Sequence, residues 1–288
     1  TAEGSAPGSG EYVMIGHYLE AQDTIAAFGD GTAEAKPFTV SFYVKASIAT
    51  TYCLHLATSH LSTQKAHMKP FTVNSANTWE RKTCTFPALT NSIGTVTGAD
   101  TGTGYRFHWV LDAPTGSSPA NTWYTHTSVP NSFTFPSGQS PTGYANTLNA
   151  TFELGGVQIE SGTVATDLEH RLFGDELLRC QRYCYVDRGS EDYHAVAQGH
   201  FNGTGTGITM LYTPVCMRAA PTLSYPVGTW IVSGDSGTIN PSNIYPTDNI
   251  GGVNAFQIRT AHSGGQSGEG FLLRTSSAGH TWILNAEL

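Results

Sequence analysis

An all-β architecture is predicted: a jelly-roll β-sandwich, then a short helix, then a second antiparallel β-domain. Three observations carry this reading. Short segments of alternating apolar and polar residues recur along the chain, as half-buried strands require. Loops of Gly, Ser, Thr, Asn and Pro separate them, and no long helical period intervenes. The strand pattern also breaks and restarts between Arg171 and Arg188. At 288 residues there is length for two domains, each with its own core. The expected boundaries are 1–171 for the jelly roll, 172–187 for a hinge helix and strand, and 188–288 for the C-terminal β-domain.

Thr1 to Gly10 is small, polar and Gly/Pro-rich, and reads as a linker. Tyr12 to Phe28 is mixed and is read as one or two strands. PFTVSFYVKAS is the clearest strand: Phe38, Val40, Phe42 and Val44 face one way, Thr39, Ser41, Tyr43 and Lys45 the other. TYCLHLA alternates at Tyr52, Leu54 and Leu56. KPFTV, TWERKTCTF, YRFHWVLDA and NATFELGGVQIE complete the first domain. In the last of these, Phe152 and Leu154 share a face, and Val157 and Ile159 take it over one residue out of phase. A phase shift at Gly155-Gly156 is what a β-bulge does to a strand.

Gly174-Asp175-Glu176 offers a helix start, with Asp175 as cap and Arg179 and Arg182 toward the negative end of the dipole. Leu177, Cys180 and Cys184 fall on one face, which is expected to dock on a β-domain. Beyond Val186 the strands restart. Ile208, Met210 and Tyr212 alternate, as do Phe256 with Ile258 and Trp282 with Leu284.

Composition narrows the function. Charged residues make up 12%, about half the usual share, so Ser, Thr, Asn, Gln and Tyr must cover the exterior. Such a neutral, hydrogen-bonding surface suits an exposed appendage or sugar binding. A net charge of -8 with 14 Lys+Arg and no cationic cluster argues against nucleic acid. No apolar run is long enough for a membrane helix, so no membrane insertion is expected. The start at Thr1 points to processing or to a piece of a longer chain, with the jelly roll lacking its first strands. Five cysteines without C-x-x-C spacing give no zinc pattern and no disulfide framework; buried free thiols are expected.

The run VQIESGTVATDLEHR, followed by DELLRCQRYCYV, resembles the junction in bacteriophage tail-fibre and related virion structural proteins. The residues that carry it are Val157, Gln158, Glu160, Gly162, Ala165, Thr166, Glu169 and Arg171, then Glu176, Leu177, Cys180, Gln181, Arg182 and Tyr183. Cys184 replaces the usual second Tyr. Met217, Arg218, Ala219, Pro221 and Thr222, with Asn285 to Leu288 at the C-terminus, add to the likeness. The resemblance implies a carbohydrate-binding-module-like jelly roll and a non-catalytic tail-fibre function: host attachment through a surface glycan. It also implies a homotrimer, other virion proteins as partners, assembly in the host cytoplasm, and a final place on the virion exterior. A purely structural virion part (capsid decoration, collar or spacer) is the alternative, and a glycan-degrading enzyme a third reading.

Other signals are read structurally. Gly234-Asp235-Ser236-Gly237 spells the tetrapeptide around a trypsin-like nucleophile but lacks the histidine setting, and is read as a turn. The Gly203 to Gly207 run precedes a strand instead of a helix, and is read as a hairpin. His55, His60 and His67 lack ligand spacing and are read as scattered surface residues. Asp30 between two glycines is a weak calcium candidate. No carboxylate pair is singled out for glycoside hydrolysis. No catalytic residue, metal or cofactor is therefore expected. Aromatic platforms are the better lead, because sugar C–H faces stack on them. The candidates are Trp123 with Tyr124, Trp230, and Tyr245 with Asn243; Trp79, Trp109, Trp123 and Trp282 are equally read as core anchors.

Overall fold

A computed structural model describes residues 6–29, 33–90, 101–116, 119–126, 134–189, 191–203, 205–224, 230–235, 237–241, 243–251, 253–276 and 280–287. The chain forms two compact units, Thr1–Glu169 and His170–Glu287. Both are built from antiparallel sheets, so the predicted all-β sandwich character holds.

Unit 1 begins with β1 (Val13–Glu20) and α1 (Ala21–Phe28). It continues through β2 (Phe38–Ala46), β3 (Thr51–Thr58), β4 (Lys65–Thr72) and β5 (Glu80–Phe86). β6 (Thr103–Asp112), the short β7 (Trp123–Thr125) and β8 (Phe152–Ser161) complete it. One sheet has the order β1-β6-β3-β4-β7 and the other β5-β2-β8. The alternation of β2 is realised as read: Phe38, Val40, Phe42 and Val44 are buried between the sheets. There they meet Tyr52, Leu54 and Leu56 of β3 and Tyr105, Phe107 and Trp109 of β6. Each such side chain contributes about 1.5–3 kcal/mol of burial.

The larger sheet is covered on its other face too. Cys53, Met68, Val110, Ala113 and Phe135 form a second cluster there. The Asp112 carboxylate fastens the segment 142–145, Oδ1 accepting from Thr142 N at 2.9 Å and Oδ2 from Ala145 N at 2.9 Å.

One expectation needs correction in unit 1, and another holds. Half of the Tyr12 to Phe28 stretch is helix, not strand: α1 buries Ala21, Thr24 and Phe28 and ends at Gly29, whose φ of 64° lets its N–H reach Ile25 O. The bulge is where the glycine pair placed it. Ser41 pairs with Gln158 and Tyr43 with Gly155, so β8 carries the extra residue, and Gly156 takes φ 55°.

Unit 2 opens with α2 (Phe173–Gln181) and β9 (Cys184–Gly189), so the segment expected as a separate hinge belongs to this unit. Next come β10 (Ala195–Phe201), β11 (Thr206–Tyr212), β12 (Thr222–Ser224), β13 (Trp230–Gly234) and β14 (Gly237–Ile239). The chain ends with β15 (Asn243–Gly251), β16 (Ala255–Ala261), β17 (Gly270–Thr275) and β18 (His280–Asn285). A seven-stranded sheet runs β14-β13-β17-β10-β11-β16-β15, and a three-stranded one β12-β18-β9. Their core joins Phe201, Trp230, Val232, Ile258, Leu273 and Trp282, with the two indoles 4.3 Å apart.

α2 departs from the reading of its sequence. Asp175 lies inside the helix; Leu172 takes the cap position, with no side-chain bond. No residue of α2 is buried, and Phe173, Leu177 and Leu178 are exposed. The face expected to dock is open in the single chain. The thiols are all free, but only Cys53 and Cys84 are buried, while Cys180 and Cys216 are exposed.

Candidate functional site

The site is built on the outer face of β5-β2-β8 in unit 1. Because β2 sends its even-numbered residues inward, Thr39, Ser41, Tyr43 and Lys45 point the other way. What covers this face differs from end to end.

At one end the segment 162–169 folds back as a strap over Thr39 and Ser41, which are buried. Thr39 Oγ1 donates to Gly162 O at 2.8 Å, and Arg81 Nη2 donates to Thr166 O and to Ser41 Oγ. Gln158 Nε2 donates to Asp167 O at 3.1 Å, while its Oε1 accepts from Glu169 N at 2.8 Å. Glu160 Oε2 accepts from Thr166 N at 3.1 Å, and Oε1 accepts from the Thr166 hydroxyl. The Gln158 and Thr166 side chains hold the Glu160 carboxyl below its usual range. Five residues of the VQIESGTVATDLE run, Gln158, Glu160, Gly162, Thr166 and Glu169, therefore have a local structural purpose.

At the other end the face is open. Trp79 is 49% exposed and Tyr43 38%. Lys45 Nζ stands 6.0 Å from the Trp79 ring centroid and 2.8 Å from Glu153 Oε1. Gly156 makes room for the phenol: a Cβ there would lie 3.0 Å from Tyr43 Cδ2, whereas one on Gly155 would make only an ordinary 4.0 Å contact with the Trp79 ring. Trp79 itself is presented by a turn that Glu80 organises. That carboxylate accepts from Asn74 N at 2.9 Å and Ser75 N at 2.7 Å and pairs with Lys82. Lys82 first, then the Ser75 N–H, hold its pKa down at about 2, so it stays ionised. Asn77 closes the turn at φ 57°, its N–H bonded to Ala46 O at 2.7 Å.

An exposed indole, a phenol, an ammonium and a carboxylate thus share one open patch. Its chemistry is stacking on a flat C–H face with donors and acceptors at the rim.

The aromatics singled out from sequence do not converge on one site. Trp123 anchors strand β7, its indole N–H donating to Pro87 O at 2.9 Å and its ring packing on His67 and the unit 1 core. Tyr124 packs on the second cluster of unit 1. Trp230 is 4% exposed and locked against Trp282, so its face cannot receive a sugar. Asn243 and Tyr245 lie on edge strand β15, opposite Ala261 and Arg259. Trp79, read as a core anchor, is the exposed one. The signal was parity: Trp79 falls in phase with Arg81, Thr83 and Thr85, out of phase with buried Cys84 and Phe86.

The histidine reading also needs correction. His55, His60 and His67 are buried, and His67 sits on β4. His55 Nδ1 lies 3.3 Å from His108 Nδ1. Burial, then His108, drives the His55 pKa well down; burial holds His67 and His108 each at about 4 and lowers His60. No group of three His, Cys, Asp or Glu is placed to hold a metal among the described residues. Asp30 and Ser236 lie outside those residues. Gly203 does sit in the β10–β11 hairpin, where Phe201 pairs with Gly207.

Comparison with protein-family models, curated proteins and solved structures finds no match to this chain.

Proposed function

We infer that the chain is a non-catalytic part of a bacteriophage appendage, a tail fibre, that binds a host-surface glycan. The carrying observation is the open Trp79–Tyr43 patch beside the Lys45–Glu153 pair. Assignment to a phage rests on the junction motif; assignment to sugar rests on the exposed aromatic face and the low charge. The protein sits on the virion exterior after assembly in the host cytoplasm, which its free thiols suit. A glycan array probed with the full chain tests the reading. Trp79→Ala should abolish a specific signal while Trp123→Ala, if folded, leaves it; an array with no signal, or one indifferent to Trp79, overturns it.

A second reading, a structural virion component, is favoured by the exposed Leu172, Phe173, Leu177 and Leu178 around α2. Apolar surface of this kind is normally covered by a partner. A homotrimer, or contact with another virion protein, supplies the cover. Light scattering of the full chain, with Phe173→Asp as the disrupting variant, tests the homotrimer.

A further inference from the structure

Unit 2 holds a cleft of about 490 Å³ that the reading of unit 1 does not use. This volume lies within the span of small-molecule sites, roughly 300–1,000 Å³. One wall is β9, where Tyr185 and Asp187, two residues apart, share a strand face. The other is the β10–β11 pair, where Gln198 stands opposite Met210 in register and Tyr212 follows on the Met210 side. Val196 and Leu211 add apolar surface.

The lining carries a single formal charge, the Asp187 carboxylate, and no Lys or Arg. His194 Nε2 approaches Asp187 Oδ1 at 3.4 Å. Burial and then Asp187 raise the Tyr185 pKa, so its hydroxyl remains a neutral donor. Tyr212 is 67% exposed, so its ring is accessible from solvent. Among the lining side chains an anion would meet the Asp187 carboxylate and no Lys or Arg. A cation would meet a carboxylate, phenol rings and a polarisable thioether, all of which favour positive charge.

We propose that the cleft between β9 and the β10–β11 pair binds a small ligand carrying an ammonium group next to an apolar face. The group is a protonated amine, as on an amino sugar, or a quaternary ammonium, as on choline. The site lies wholly in unit 2 and does not depend on the function assigned to the unit 1 face.

Calorimetric titration of the full chain near neutral pH tests this, with glucosamine, N-acetylglucosamine and choline as probes. Glucosamine and N-acetylglucosamine share a ring, but the second replaces the ammonium by a neutral amide. Glucosamine should bind about tenfold more tightly than its acetylated form. Choline binding alone assigns the quaternary source, and glucosamine binding alone the amino-sugar source; both support the cleft. Asp187→Asn should remove the preference for charge. Tyr212→Ala, at an exposed ring that folding does not need, should weaken binding on its own, and Trp79→Ala should leave it intact. Equal affinity for the acetylated sugar overturns the proposal. So does binding indifferent to both unit 2 variants, or no binding of either amine.

Discussion

The two units solve the same problem, burying a sheet, in different ways. In unit 1, β3 is buried at every position after Thr51, because the larger sheet is covered on both faces. In unit 2, β11 and β16 alternate strictly, with Thr209, Leu211, Phe256 and Ile258 inward and the residues between them only partly covered. A sheet covered on both sides has no wet face for its polar residues. His55 and His108 are therefore trapped under the second cover of unit 1, and His67 in its main core. Full burial leaves unit 1 compact but vulnerable to protons, whereas the alternation in unit 2 keeps Arg259 and Arg274 on half-covered positions.

The largest test of this division is core truncation. Trp109→Ala should cost unit 1 about 3–5 kcal/mol, and Trp282→Ala the same for unit 2. Urea melts followed by segment-resolved hydrogen exchange should show each variant loosening its own unit. A single shared transition would break the comparison.

Acid comes next. His67 and His108 have folded pKa values of about 4, below the unfolded value of about 6.5. The unfolded chain therefore takes up protons that the folded one refuses as the pH drops between those values. Stability is complete above about pH 6.5 and declines from there to about pH 4. By pH 5 the loss is of the order of 1–2 kcal/mol per histidine. Exchange at pH 5 should rise in β3, β4 and β6 before it rises in β10, β11 and β17; the reverse order would contradict the account.

The remaining effects are smaller. Thr166→Val removes a hydroxyl shared by Glu160 and Gln158, and should loosen the strap by about 0.5–1 kcal/mol, read as faster exchange at Thr39 and Ser41. Asp175→Ala should shift the melting free energy by less than about 0.5 kcal/mol, since this residue caps nothing. A larger loss there would restore the capping role that its sequence position suggested.

What could be read in advance follows the physics of each signal. The period of two in Phe38 to Lys45 and the phase slip at Gly155-Gly156 are local, so core and bulge were legible. α1 was not, since eight residues between a strand and a glycine carry too few turns to show a period. Histidine burial is not legible because residue type suggests surface, while the second cover on the His55 face draws on Tyr12, Met14, Tyr124, His126 and Phe135, distant in sequence. Trp79 and Tyr43 could have been found. Tyr43 was already on the polar face of its strand, but parity was outweighed by the habit of aromatics to be core. The unit 2 cleft draws on strands whose juxtaposition no local pattern encodes.

The strap has a mechanical consequence. Everything beyond Glu169 is tethered to unit 1 through a segment that turns back on its own strand and is bolted there by Gln158, Glu160 and Arg81. Tension applied from the C-terminal side meets these bolts together before it can peel β8 from β2.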